Sequence, residues 1–168
     1  YYVRPCSRPT GADAACQAGD DAGNPIPTLV RQELEGTRMV ERPLAEGVER
    51  LHFMYGLDTL PAPDGDGIPD RFVADPCDPT LLSQLGMTCA QVWAGVVAVR
   101  VALLVRSPTP IAGHDDSGKC YDMNGSGNCD PENDPTDFVC RNDLECRYKR
   151  ALFSQLIQLR NVAYRRGA

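Results

Sequence analysis

Eight cysteines constrain this chain more than any other feature. An even number of cysteines is typical of a disulfide framework, and the alternative for so many cysteines is a metal site. They are Cys6, Cys16, Cys77, Cys89, Cys120, Cys129, Cys140 and Cys146. They lie in or beside polar segments rich in Gly and Pro, and none forms the Cys-x-x-Cys spacing of structural zinc sites. The sequence therefore predicts disulfides that form in an oxidising compartment.

The number of cysteines does not fix how they pair, so their spacing is the only guide. We predict local pairs: Cys6 with Cys16, Cys77 with Cys89, Cys120 with Cys129, and Cys140 with Cys146. The last four cysteines lie close together along the chain. An interleaved pairing of these four is therefore an open alternative.

A length of 168 residues fits a single domain, residues 1–168, with a substantial core. The net charge of −6 argues against a nucleic-acid-binding surface, which needs clustered Lys and Arg. No segment can span a bilayer, because the longest apolar-rich run, residues 92–105, is too short and contains Arg100. The chain begins at Tyr1 without Met or a signal peptide, and we expect its export signal to lie upstream.

Alternating and β-branched residues predict several separated strands. These are residues 1–4, 26–34, 37–41, 49–55, 96–106 and 152–159. Residues 48–55 and 152–159 also fit helical spacing, so a helix is open in both places. One short helix is predicted at residues 79–86, with Asp78 as its N-cap. This pattern indicates an α+β fold whose antiparallel sheet needs a cover on one face.

Residues 96–106 carry the strongest strand pattern in the chain. The face predicted to point to the core holds Val97, Val99, Val101, Leu103 and Val105. Trp93, just before this strand, is predicted to anchor the core.

Three stretches carry a family resemblance when they are taken in order. They are LAEGVERLHFMYGLD at residues 44–58 with DGDGIPDRF at 64–72, WAGVVAVRVALLVRS at 93–107, and RYKRALFSQLIQLRN at 147–161. Together they resemble the PilW family of type IV pilus minor pilins and, more distantly, the J-type minor pseudopilins of type II secretion. The cysteine-bearing loops have no counterpart in this resemblance.

The resemblance implies a type IV pilin-like head, an antiparallel sheet with long disulfide-stapled loops, from which the N-terminal transmembrane helix is missing. It implies a structural subunit of the pilus tip or priming complex that initiates pilus assembly, and so twitching motility and adhesion. The implied partners are other minor pilins and a tip adhesin. The implied location is the inner membrane, periplasm and pilus tip of a Gram-negative bacterium, with the missing helix as membrane anchor.

Without that helix an apolar strip of the sheet should be exposed, and we expect the isolated head to self-associate. Two alternatives stay open. One is a minor pseudopilin of a type II secretion system, and the other is a secreted calcium-dependent binding module.

An acidic loop beginning at Asp122 matches the spacing of a twelve-residue calcium loop, with Gly127 at the sharp turn in position 6. The candidate ligands at positions 1, 3, 5, 7, 9 and 12 are Asp122, Asn124, Ser126, Asn128, Asp130 and Asn133. Asn128 would contribute its backbone carbonyl, and Asn133 stands where such loops carry a bidentate Glu. The alternative is that these residues simply form turns.

A second, less complete calcium candidate lies upstream, with Gly67 at position 6. Its candidate ligands are Asp64, Asp66, Ile68 through its carbonyl, and Asp70. Position 1 is an alanine, which Asp58 could replace from upstream. A tight hairpin turn would explain this segment equally well.

Enzymatic function is not predicted. The chain lacks a G-x-S-x-G nucleophile elbow and any phosphate-binding Gly-rich loop. Its two histidines, His52 and His114, are far apart in sequence, and His114 with Asp115 is interpreted as a solvated loop.

Overall fold

The computed structural model describes residues 1–59 and 65–159, which form seven strands and three short α-helices. In chain order the elements are β1 (Tyr2–Arg4), β2 (Thr28–Glu35), β3 (Arg38–Glu46), β4 (Val48–Leu57), β5 (Arg71–Val73), α1 (Pro79–Leu85), α2 (Cys89–Ala94), β6 (Val96–Arg106), α3 (Asp143–Cys146) and β7 (Arg150–Gln158). The predicted strands are confirmed, and strand rather than helix is found at both β4 and β7.

The strands form two antiparallel sheets, one with the order β1-β2-β3 and the other with the order β5-β4-β6-β7. Hydrogen bonds at both ends of β6 fix its direction against β4: Arg106 N donates to Gly47 O at 2.8 Å, and Asp58 N donates to Gly95 O at 2.9 Å. The α+β class with antiparallel sheets and long disulfide-stapled loops is therefore confirmed.

The chain divides into two compact units. The first unit comprises residues 1–51 and 103–153, and the second comprises residues 52–102 and 154–168. The interpretation of residues 1–168 as one domain stays a prediction.

The second unit has an apolar core that two helices complete. Leu57, Leu81, Val92 and Val96 form this core. Helix α1 has the predicted cap, since the Asp78 side chain accepts a hydrogen bond from Leu81 N. Helix α2, which sequence reasoning missed, begins with a capping box formed by Thr88 and Gln91.

Trp93 does not anchor the core, and the prediction that it does is wrong. Val92 occupies the buried position of α2, and the next residue on a helix is rotated by about 100° away from it. Trp93 is therefore 44% exposed, and its ring packs edge-on against Tyr55 with centroids 4.9 Å apart.

The predicted core face of β6 is also wrong. The buried residues of this strand are Val96, Val97, Ala98, Ala102 and Leu104. From Ala98 onward they lie on the face that carries Arg100 and Arg106, opposite the β-branched face that was predicted to point to the core. Each guanidinium stacks on an aromatic ring, Arg100 on Phe72 at 4.4 Å and Arg106 on Tyr148 at 4.0 Å. Stacking lets arginine lie on a buried face, so this face can be buried although it carries two charges.

Strand β3 runs further than residues 37–41, through Pro43 to Glu46. A register shift between Leu29 and Val30 of β2 places Pro43 and Ala45 opposite these two residues, so Leu44 is an extra residue on β3. Proline is tolerated at such a bulge on an edge strand, where the missing N–H breaks no ladder bond.

The predicted disulfides are confirmed as local pairs, without interleaving. They are Cys6–Cys16, Cys77–Cys89, Cys120–Cys129 and Cys140–Cys146. Three of them lie in the first unit, and Cys77–Cys89 lies in the second.

The loop closed by Cys6 and Cys16 and its continuation contain left-handed backbone at residues other than glycine. Ala14 and Ala22 both have φ 58°, and each follows an aspartate with positive φ. An alanine in this region costs about 1–2 kcal/mol because its Cβ crowds the following carbonyl.

We expect Ala22→Gly to raise the free energy of unfolding by about 0.5–1 kcal/mol, since relief of strain exceeds the entropy that glycine adds to the unfolded chain. Ala22 is exposed, so no packing is lost. Urea unfolding measures the change. Ala45→Gly, at an exposed position of β3 without positive φ, is the matched control and should lower stability. Equal losses in both variants would contradict the assignment of strain to Ala22.

Candidate functional site

The 122–133 loop is organised by its first residue. The Asp122 carboxylate accepts hydrogen bonds from the backbone of Gly125 at 2.6 Å and of Gly127 at 2.7 Å. Gly127 has φ 81°, so it makes the sharp turn that its position in the loop predicts. Oδ1 also accepts from Ser126 N at 3.2 Å, whereas Oδ2 keeps a second lone pair with which Asp122 could bind a cation.

The other candidate ligands of this loop pair locally. Asn124 Oδ1 accepts from Ser126 N at 2.6 Å, and Ser126 Oγ donates to Asn128 O at 2.7 Å. Asp130 Oδ2 accepts from Asn133 Nδ2 at 2.7 Å. Hydrogen bonding to Asn133 lowers the pKa of Asp130. The loop thus carries oxygen-bearing side chains at the positions expected of calcium ligands. These side chains bond their near neighbours in sequence and so stabilise separate turns.

No three carboxylates of the 122–133 loop converge on a common point. Across residues 1–59 and 65–159, the one cluster of His, Cys, Asp or Glu with three ligand atoms within 4.8 Å is Cys6, Cys16 and Asp20. Both of its sulfurs belong to a disulfide, which offers no thiolate to a metal. Calcium binding by the 122–133 loop stays a prediction.

Sequence reasoning missed the residue that anchors this loop. Asp137 is 4% exposed, and its carboxylate accepts from Asp130 N at 2.7 Å and from Met123 N at 3.1 Å. A β-bridge between Tyr121 and Phe138 closes the segment just outside Asp137. The only signal in the sequence is an acidic residue beside an aromatic one, which is too common to be diagnostic.

The second acidic loop closes around Asp58. Asp58 is 3% exposed, and its Oδ2 accepts from Gly67 N at 3.0 Å. A Cβ at Gly65 would lie 2.5 Å from the same oxygen, so only glycine allows the approach. Asp58 thus contacts this loop from upstream, and its role as a replacement calcium ligand stays a prediction.

The carboxylates of Asp66 and Asp70 in that loop accept their own local hydrogen bonds. Asp66 Oδ1 accepts from Ile68 N, and Asp70 Oδ2 accepts from Thr59 N at 2.7 Å and Thr59 Oγ at 2.8 Å. The bonds from Thr59 lower the pKa of Asp70. Asp64 lies outside the described residues. The arrangement is that of a tight turn, and its calcium assignment also stays a prediction.

His114 is not simply solvated, as its pairing with Asp115 suggested. Its Nε2 lies 2.8 Å from Asp116 Oδ1, and Asp116 is 1% exposed. Burial would raise the pKa of Asp116, but Lys119 at 2.7 Å and the Tyr121 hydroxyl at 2.8 Å lower it on balance. Burial and the bond to Asp116 in turn raise the pKa of Tyr121. His114, Lys119 and Tyr121 thus all contact the buried Asp116 carboxylate in the segment that precedes the 122–133 loop.

A further carboxylate organises the N-terminal loop. Burial raises the pKa of Asp21, but hydrogen bonds from Ile26 N, from Ser7 N and Oγ, and from Arg8 N outweigh it and lower the pKa to about 2. The ionised side chain therefore ties both ends of this loop together.

Acid is expected to weaken this tie. The folded pKa of Asp21 lies below the unfolded value of about 3.9, so its contribution to stability is fully present above that value and is lost as pH falls toward 2. Asp21→Asn should be less stable at neutral pH and should lose less stability on acidification. Urea unfolding at a series of pH values tests this, with Asp13→Asn in the same loop as control. Parallel pH profiles for Asp21→Asn and the wild type would contradict it.

Exposed apolar side chains occur on the β2–β3 hairpin and on strand β7. At the tip of the β2–β3 hairpin, Leu34 and Met39 pair across the strands and are 69% and 59% exposed. On β7, Leu156 and Ile157 are 51% and 48% exposed. Such surfaces are typical of proteins that contact other subunits.

These features define a class: a disulfide-stapled α+β protein with antiparallel sheets and apolar surface suited to assembly. The family model described as PilW, Type IV Pilus-assembly protein W, matches residues 15–161, and the chain belongs to this family. The resemblance deduced from three sequence stretches is thereby confirmed, whereas the relation to J-type pseudopilins stays a prediction. Searches of curated proteins and of solved structures find no match.

Family membership sets the broad function. The chain is related to type IV pilus assembly, a role that is typically structural rather than enzymatic. It is exported or associated with the cell envelope and interacts with other pilus components. Within residues 1–59 and 65–159, no helix has the length and apolar character needed to cross a membrane.

Proposed function

We propose that this chain is the head of a minor pilin, which joins other minor pilins and a tip adhesin in the complex that primes type IV pilus assembly. The observation that carries the proposal is the PilW match over residues 15–161. In the cell this head would be held by an N-terminal membrane helix, at the inner membrane and periplasm of a Gram-negative bacterium and then at the pilus tip.

The surface of the head supports a role in assembly. Several of its exposed apolar residues lie on regular strands, Leu34 on β2, Met39 on β3 and Leu156 on β7, so a neighbouring subunit would meet a rigid surface there and lose little conformational entropy on binding. Phe153 of the first unit is 59% exposed, and Leu156 of the second is 51% exposed. Sister subunits that stack beside this head would cover such side chains.

Deletion of the gene in its host tests the proposal. We expect loss of surface pili and of twitching motility, both restored by the full-length gene. A tagged full-length protein should co-purify with other minor pilins from the envelope. Normal piliation together with co-purification of secretion-system subunits would instead support a type II pseudopilin and overturn the proposal.

Calcium binding is a second candidate function, and the geometry of Asp122 favours it. Asp122 Oδ2 is held by Gly127 N at the turn where a calcium loop requires glycine, so the first ligand is preset. The role would be to stiffen a surface loop of the head.

Calorimetry of the chain with Ca²⁺ tests this second candidate. We expect binding in the wild type that Asp122→Ala abolishes and that Asp143→Ala, an exposed acid outside the loop, preserves. No heat in the wild type, or equal heat in both variants, would exclude a calcium site at Asp122.

A further inference from the structure

The strands at the edges of the two sheets are protected unequally. Strands β1 and β5 have only three residues each. Strand β3 carries charged residues and Pro43, which prevent another strand from pairing with it. Strand β7 has nine residues and, after Arg150, neither charge nor proline. It therefore lacks the features that normally keep an edge from pairing with a foreign strand.

The backbone of β7 has a defined free side. Ser107 N donates to Lys149 O at 2.9 Å, and Leu159 N donates to Val97 O at 2.8 Å. The two bonds lie the same number of residues apart along β6, from Val97 to Ser107, as along β7, from Lys149 to Leu159. The pairing of the two strands therefore has no net bulge between these bonds. Odd-numbered residues of β7 thus point their N–H and C=O toward β6, and even-numbered residues point theirs away.

The free side is clearest at Ser154–Gln158, five residues that belong to the second unit and are all exposed. The outward groups are those of Ser154, Leu156 and Gln158, and no described strand pairs with them. The Leu156 carbonyl accepts a bond from Gln155 Nε2 at 3.0 Å. This contact to the preceding side chain is easily exchanged for a backbone donor.

We propose that Ser154–Gln158 pairs antiparallel with the same segment of a second copy of this chain, around a two-fold axis at Leu156. Each Leu156 N–H then donates to the Leu156 carbonyl of the other copy, and Ser154 exchanges both backbone bonds with Gln158 opposite it. A second copy fits because the edge requires an uncharged, extended strand. The segment SQLIQ meets itself without like charges and brings its own leucine and isoleucine.

Light scattering on the 168-residue chain, over a range of concentration, tests the pairing. The wild type should reach twice the monomer mass, and Leu156→Pro should halve it. This proline removes an outward N–H and leaves the β6 ladder intact. Leu156→Lys and Leu156→Glu should each be monomeric, because like charges meet across the axis. A mixture of the two should regain the dimer mass, which only pairing centred on residue 156 explains.

The hairpin variant Met39→Lys is the control for nonspecific apolar contact and should keep the dimer mass. A monomeric wild type at the highest concentration would overturn the proposal. So would a dimer that survives Leu156→Lys, or one that Met39→Lys dissociates. If Leu156→Pro does not fold, the lysine and glutamate variants and their mixture decide the outcome. The test is independent of the proposed function, since pilus assembly is not measured.

Discussion

Reduction of all four disulfides is expected to unfold this chain at room temperature. The bridges close loops with sequence separations of 10, 12, 9 and 6 residues. Loop-closure entropy assigns about 2–3 kcal/mol to each, or about 10 kcal/mol together. A domain of this size has a free energy of unfolding of about 5–15 kcal/mol, so the bridges account for much or all of it.

Far-UV circular dichroism and urea unfolding, with and without a thiol reductant, measure this effect. Double Cys→Ser variants of single pairs are the matched controls, and each should lose a fraction of the total while remaining folded. Cys6 is fully buried, so removal of the Cys6–Cys16 bridge should also cost packing. A reduced chain that keeps its strand signal and a cooperative transition would show that the core suffices without the bridges.

Arg150→Ala is expected to lower the free energy of unfolding by about 3 kcal/mol, because it leaves the largely buried Glu49 carboxylate dependent on the more distant ion pair to Arg106, at 4.0 Å. Arg150 is 5% exposed, and its guanidinium bonds Glu49 at 2.7 and 3.2 Å. It also donates to the carbonyls of Glu145 at 2.8 Å and Tyr148 at 3.2 Å. The same group stacks on Phe138, 4.8 Å from the ring centroid.

Urea unfolding of three variants separates the causes. Arg42→Ala removes a half-exposed arginine from a surface ion pair and should cost less than about 1 kcal/mol. Arg150→Met combined with Glu49→Leu should recover part of the loss, since the largely buried carboxylate is then removed together with its closest partner, while Arg106 keeps its charge there. A loss below about 1 kcal/mol for Arg150→Ala would show that Glu49 does not depend on Arg150 for its compensation, and would contradict the prediction.

Local patterns were sufficient to predict much of this fold. Strand β6 has the predicted limits because eleven consecutive residues favour extended backbone. Helix α1 begins at Pro79 because Asp78 can accept the bond that its first turn offers. The disulfides follow spacing because neighbouring cysteines in loops meet at low entropic cost.

What sequence reasoning missed depends on contacts between distant segments. The face of β6 that is buried depends on Phe72 and Tyr148, whose rings receive the two arginines. Asp137 is buried, but the sequence did not distinguish it from the other acidic residues in and beside the 122–133 loop. Candidate ligands were predicted from positions in a loop, whereas their hydrogen bonds depend on how the segment closes on itself.

The order of the bridges has a consequence for biogenesis. The first cysteine is joined to the second, the third to the fourth, and so on along the chain, so no bridge encloses another. In a chain that crosses a membrane from its N-terminus the thiols emerge in that same order, and an oxidant that couples each pair as it appears makes the final set directly. Oxidative folding of this chain thus places little demand on enzymes that rearrange incorrect disulfides.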